Sequence, residues 1–172
     1  MNKSHQAGVG LMEVLIALLL LAIGVLGYVA LQVRAVDATT ESVQRSQAIF
    51  VLKGLAESIR ANNAGRGAYA ALVNAGMPTS FANSCINPAT ALCTPAQVAA
   101  DDVIQAKANA QSFGMTLRMA DCPGTANVNN QPKRSCLYAA WGNTDITNNL
   151  NNCMTNAGVY QLNANCLMME VY

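Results

Sequence analysis

Apolar positions along this chain fall into three regimes. From Val14 to Leu31 they are continuous. That run of roughly 18 uncharged residues, if helical at about 1.5 Å per residue, spans most of a bilayer core about 30 Å thick. Glu13 stands at its entrance, where a carboxylate is costly to bury. Lys3 precedes the run and favours a cytoplasmic N-terminus.

Beyond Leu31 the apolar coverage narrows to a stripe. Val29, Val33, Val36, Thr40 and Val43 recur at spacings of three and four, after which Ala48, Val51 or Leu52, Leu55 and Ile59 take it up. Arg34, Asp37, Glu41, Arg45, Lys53, Glu57 and Arg60 are interspersed, as on an amphipathic helix. No proline occurs between Val9 and Asn62, and Asn62-Asn63-Ala64-Gly65 supplies the residues that end a helix. One continuous helix from Val9 to Asn62 is expected. Gly24 and Gly27 fall in its apolar half, either to let helices approach closely or to mark a point where the helix loosens on leaving the bilayer.

From Ala64 to Tyr172, Gly, Pro and Asn clusters separate short apolar runs. Thr94-Pro95 reads as an N-cap and first turn, with a helix over Gln97 to Gln111. Phe113 to Met119, Cys136 to Trp141, Gly158 to Leu162 and Cys166 to Tyr172 read as strands. In the last, Leu167, Met169 and Val171 alternate with Met168, Glu170 and Tyr172, as for a strand with one covered face. The Asn-rich stretch Gly142 to Asn165 favours turns. The expected fold class is α+β, a long N-terminal helix packed on a small antiparallel sheet domain.

Charge narrows the functions available. The net charge is +1, and past Asn63 the cations Arg66, Lys107, Arg118, Lys133 and Arg134 are matched by Asp101, Asp102, Asp121, Asp145 and Glu170. Nucleic acid is therefore not expected as a partner, the Lys133-Arg134 doublet being a solvated loop. His5 is the only histidine, so the C-terminal region offers no Ser-His-Asp triad, Cys-His pair or HExxH site, and no phosphate-binding glycine loop occurs. Asp101 and Asp102 are adjacent on a helix and point apart, unlike a glycosidase pair. No enzyme activity and no cofactor is expected.

Six cysteines, Cys85, Cys93, Cys122, Cys136, Cys153 and Cys166, come after the membrane-directed segment and point to disulfides made in an oxidising compartment. Six allow 15 connectivities. Sequential pairing, Cys85 with Cys93, Cys122 with Cys136 and Cys153 with Cys166, is expected because each pair brackets a turn-rich segment. No pair has the gap of a zinc knuckle, and no metal is expected.

Three readings of the N-terminus remain. A secretory signal peptide would end at VDA before Thr39, but the apolar stretch exceeds the usual length and Glu13 disturbs its start. A plain membrane anchor requires neither Glu13 nor Gly8. The third rests on G-V-G-L-M-E, Gly8 to Glu13, which resembles the class III signal of type IV prepilins. That resemblance implies a leader over residues 1–8, cleavage between Gly8 and Val9 by a prepilin peptidase, and N-methylation of Val9. In that family the glutamate pairs with the N-terminal amine of a neighbouring subunit, which makes its burial tolerable. Val9 and Gly10 stand where the family usually has Phe and Thr, and valine there is acceptable in minor pilins.

The resemblance continues over SQAIFVLKGLAESIRANNAGRGAY, Ser46 to Tyr69, which looks like the end of the long helix in PilV-type minor pilins. Arg60, Ala61, Asn62, Gly67 and Tyr69 carry that motif, and Asp101-Asp102 fall in the expected later helix, with Val103 where a Trp is frequent. The implied organisation is pilin-like: a filament-core half of the helix over residues 9–31, an amphipathic half over 32–63, and an extracytoplasmic domain over 64–172. The resemblance implies a minor pilin that primes or caps a type IV pilus, with roles in twitching motility and adhesion. Its implied partners are other minor pilins, the major pilin, the prepilin peptidase and the inner-membrane assembly machinery. The protein would sit in the inner membrane before assembly and at the cell surface after it. A type II secretion pseudopilin, or a DNA-uptake or adhesin subunit, are the alternatives.

Overall fold

The computed structural model describes residues 9–76, 85, 93–125 and 134–171. The leader residues through Gly8, His5 among them, together with Lys133 and Tyr172, lie outside the described residues. Two compact units are distinguished, Met1–Ser42 and Val43–Tyr172.

Helix α1 runs from Val9 to Ala61 and is continuous through Gly24 and Gly27. It stops where the Asn62 side chain turns back to accept from the Gly65 amide at 3.1 Å, starting a 3-10 turn over Asn63–Gly65. The chain re-enters a helix at once, α2 over Arg66–Asn74. This helix was not expected from the sequence, because the Asn and Gly residues that end α1 also read as the start of a loop. Its signal is Tyr69 and Val73, four apart and both buried, in an alanine-rich segment. Helix α3, Pro95–Ser112, begins as expected: Thr94 Oγ1 accepts from the Gln97 amide at 3.3 Å and Gln97 Oε1 from the Thr94 amide at 2.8 Å, a reciprocal capping box. Gly114, at φ +68°, ends it in the left-handed conformation that glycine tolerates best.

Three strands complete the domain, β1 over Met115–Asp121, β2 over Ser135–Trp141 and β3 over Cys166–Glu170, antiparallel in the order β1-β2-β3. Met119 faces Leu137 and Leu137 faces Met169 across the sheet. Leu117, Met119, Leu137, Ala139, Trp141 and Val171 bury one face against Ala48, Leu52, Leu55, Ala56 and Ile59 of α1, and against Tyr69, Val73, Ala99 and Val103 of α2 and α3.

The second face is covered too, contrary to the expectation of a one-sided sheet. Tyr138, Ala140, Cys136 and Cys166, with half-buried Met168, pack against Ile146, Cys153, Met154 and Leu150. The Asn-rich segment between β2 and β3 is thus a third layer. β2 reads Cys-Leu-Tyr-Ala-Ala-Trp with hardly a polar residue, as a central strand buried on both faces should.

Gly158 to Leu162 is not a strand. Gly158 at φ +82° and Asn163 at φ +61° turn the chain on either side, and only Tyr160 makes a bridge, to Met154. Tyr160 instead offers its hydroxyl to the outer edge of β3, accepting from the Met168 amide at 3.1 Å. The outer edge of β1 is met similarly. The Asn74 amide donates to Met119 O at 2.8 Å and accepts from Met119 N at 3.0 Å, copying the two bonds a neighbouring strand would make.

The stripe of α1 also divides differently from the expectation. Ala48, Leu52, Leu55, Ala56 and Ile59 are core, but Val43 is 54% exposed and Phe50 73% exposed. Within the second unit Val43, Phe50 and Gly54 lie on the opposite side of the helix from the buried set, and Gln47 is half-buried.

Candidate assembly segment and the junction behind it

Among the described residues the first unit is helix alone. Its apolar side chains, Leu15, Leu18, Leu21 and Leu26 among them, are exposed, and its most apolar 18-residue window has a mean hydropathy of 2.9. Length and composition suffice for one membrane crossing. Among the described residues no cation lies within salt-bridge distance of Glu13. Glu13 follows Val9 by four residues in the same helix, so the two positions lie one above the other on one side. Gly10 has no hydroxyl to cap the helix start.

The motif residues at the far end of α1 are brought together into one polar junction. Tyr69 is fully buried, and its hydroxyl donates to Asp102 Oδ2 at 2.5 Å. Asn62 Nδ2 donates to the Tyr69 hydroxyl at 3.2 Å and to Pro95 O at 2.8 Å. The end of α1, the middle of α2 and the start of α3 are thereby tied through two side chains. Burial, then the hydrogen bond to the Asp102 carboxylate, pushes the Tyr69 phenol up to about 12, so it stays a donor at physiological pH. Gly65 sits in the crook: a Cβ there would meet Pro95 O and Asn62 Nδ2 at 2.5 Å.

Arg60 reaches the last strand's end, its Nε donating to Val171 O at 3.1 Å while Nη1 pairs with Glu57 at 2.9 Å. Asp101 is occupied separately, accepting from Gln105 Nε2 at 2.9 Å, so the two adjacent carboxylates do not share a site. Gly67 has open space where a Cβ would be.

A buried cation also escaped the sequence reading. Lys107 Nζ donates to Leu72 O at 2.9 Å and Ala75 O at 2.6 Å, closing the C-terminal turn of α2 where a positive charge is favoured. Burial pushes its ammonium below the usual lysine value. Its spacing from Val103 and Ala110 on the inner face of α3 was the available signal.

The cysteines pair as Cys85–Cys93, Cys122–Cys136 and Cys153–Cys166, with Cα separations of 6.0, 5.0 and 5.8 Å. The second closes the β1-β2 hairpin and the third ties the third layer to β3. Among the described residues no group of three or more His, Cys, Asp or Glu side chains is placed to hold a metal ion. Arg134 pairs with Glu170 at 3.3 Å across the half-exposed end of the sheet, while its neighbour Lys133 lies outside the described residues.

An apolar helix long enough for one membrane crossing and a disulfide-braced α+β domain define the class of protein. Two family profiles match the chain: the prokaryotic N-terminal methylation motif over residues 3–29 and type IV pilin Tt1218 over residues 30–104. Each covers less than half of the chain; together they span residues 3–104, and the two matches support a type IV pilin-like protein. No curated protein and no solved structure matches it. The Asn62, Tyr69 and Asp102 junction lies wholly inside the matched region, whereas the sheet lies outside it.

Proposed function

We propose that the protein is a minor pilin of the PilV type, cleaved between Gly8 and Val9, N-methylated at Val9, and built into a type IV pilus as a priming or capping subunit. The observation that carries this is the carboxylate of Glu13, five residues after Gly8, at the mouth of a helix that is apolar yet continuous with the folded domain. A discarded signal peptide needs no such carboxylate and no such continuity. In the assembled filament Glu13 pairs with the methylated amine of an adjacent subunit, two charges that are each costly alone in an apolar core. The role is structural, and the helical segment supplies axial position while the disulfide-braced sheet faces outward.

The direct test is the mass and N-terminal sequence of the mature chain. A start at N-methylated Val9 is expected. A start at Thr39 would make the segment a secretory signal, and an intact Met1 would make it a plain anchor. Deletion of the gene is expected to reduce pili per cell; a loss of protein secretion with pili intact would place the subunit in a type II secretion system instead.

A further inference from the structure

Successive residues of an antiparallel strand direct their backbone groups to opposite sides. The Cys122 amide, just past β1, donates to Arg134 O on the β2 side, so the even-numbered residues of β1 pair with β2. Met115, Leu117 and Met119 then direct N–H and C=O off the outer edge. Asn74 takes both groups of Met119. Two residues earlier, at Leu117, neither group has a hydrogen-bond partner among the described residues. Asn74 thus stands in for one residue of a fourth strand, and the edge lies open beyond it.

The open part of the edge borders a cavity of about 230 Å³ that reaches both faces of the sheet. On the helix side it is lined by Lys107 and Ala110, and on the other by Thr116, Arg118 and Thr147. A strand laid along Leu117 would send successive side chains to those two sides in turn. The lining holds two cations and no carboxylate. Lys107 is only 8% exposed, and Leu72 O and Ala75 O leave one of its N–H donors over. Among the described residues no carboxylate lies within salt-bridge distance of it. Arg118 donates to Thr147 O, while Asp145 is turned to the Thr147 amide. A buried ammonium with a spare donor and no counter-ion is stabilised by an incoming carboxylate.

We propose that the outer edge of β1 at Leu117 is a docking site for an extended acidic peptide segment of a partner protein, added to the sheet as a fourth strand. Its backbone pairs with Leu117 N and O. An Asp or Glu side chain reaches Lys107 on the helix side, and the neighbouring residue lies beside Arg118. Main-chain pairing supplies affinity, and the two cations select the acidic segment. A helix does not suit this place, because its own N–H and C=O groups are already paired and cannot satisfy the edge. The site depends neither on cleavage after Gly8 nor on filament assembly.

The test pans the full-length chain, in detergent micelles, against a displayed library of random segments about eight residues long. Enriched segments are expected to carry Asp or Glu. A synthetic copy of one is expected to slow amide exchange at Leu117 at least about tenfold, with no change at Leu137 in the central strand. Replacing its acidic residue by Gln, or Thr116→Glu in the protein, is expected to weaken binding about tenfold or more. Thr116 is exposed, so that variant keeps the wild-type melt, whereas Lys107→Met also loosens the end of α2. No enriched segment, enrichment without an acid, or binding that Thr116→Glu leaves unchanged would overturn the proposal. So would a Leu117 amide that exchanges no faster than Leu137 in the free chain, since the edge would then be closed already. An acidic peptide that binds without slowing Leu117 would also overturn it, since the cavity would then take an anion and no strand.

Discussion

The Tyr69 hydroxyl donates to Asp102 at 2.5 Å, and through Asn62 that bond reaches the end of α1. Tyr69→Phe keeps the ring packing but leaves the buried side of Asp102 without its donor. A loss of about 1–3 kcal/mol in chemical denaturation is expected. The pH dependence has a defined sign. With its folded value near 12 and its ordinary value of 10.0, the phenol loses its proton first in the unfolded chain, so stability falls as pH rises from 10 towards 12. That part of the fall should be missing in Tyr69→Phe, and parallel curves for mutant and wild type over this range would refute the assignment.

Gly65→Ala tests close approach rather than backbone strain. A methyl group cannot occupy a point 2.5 Å from Pro95 O without moving α3 or expelling the Asn62 side chain. Destabilisation of about 1–3 kcal/mol is expected, whereas Gly67→Ala, with open space, should be neutral or slightly stabilising. Thermal melts of the two variants side by side decide the matter.

Lys107→Met preserves length and apolar stem but removes both hydrogen bonds to the end of α2. The two carbonyls lose a charged donor, at a cost of about 1–3 kcal/mol. Amide exchange at the last turn of α2 should quicken more than exchange in β2; uniform change across the domain would argue against a local cap.

Replacing Cys153 and Cys166 together by Ala should cost about 2–4 kcal/mol. The layer between β2 and β3 would then loosen and expose Tyr138, whose phenol burial now holds above its usual value. Spectrophotometric titration of the variant is expected to show a tyrosine returning towards ordinary behaviour.

Glu13→Ala should still be processed after Gly8 but assemble poorly. Leaving one member of a buried ion pair alone costs about 3–5 kcal/mol, so incorporation into filaments should drop roughly tenfold or more. Immunoblots of sheared filaments against whole cells measure it, and equal incorporation of mutant and wild type would count against the pairing.

Local signals were legible from the sequence. The long helix, its Asn62 stop, the Thr94 N-cap and the sequential cysteine pairs depend on interactions between residues close in the chain, and three strands showed in their own short apolar runs. Gly158 to Leu162 misled because an alternating run looks the same whether its partner is a strand or, as here, a side chain meeting an edge. The stripe of α1 misled for a related reason. Val43 and Ala48 both suit an amphipathic helix, and only the position of the sheet decides which side becomes core.

The sequence by itself determined the class of segment at each point: a helix too apolar for water with one carboxylate at its mouth, and a cysteine-braced domain behind it. Tertiary structure alone decided what each side chain faces. Asn62, Tyr69 and Asp102 become one junction, Asn74 and Tyr160 close the two sheet edges, and Phe50 stays outside. Such pairings depend on contacts between distant parts of the chain, whose geometry exists only after the layers have packed.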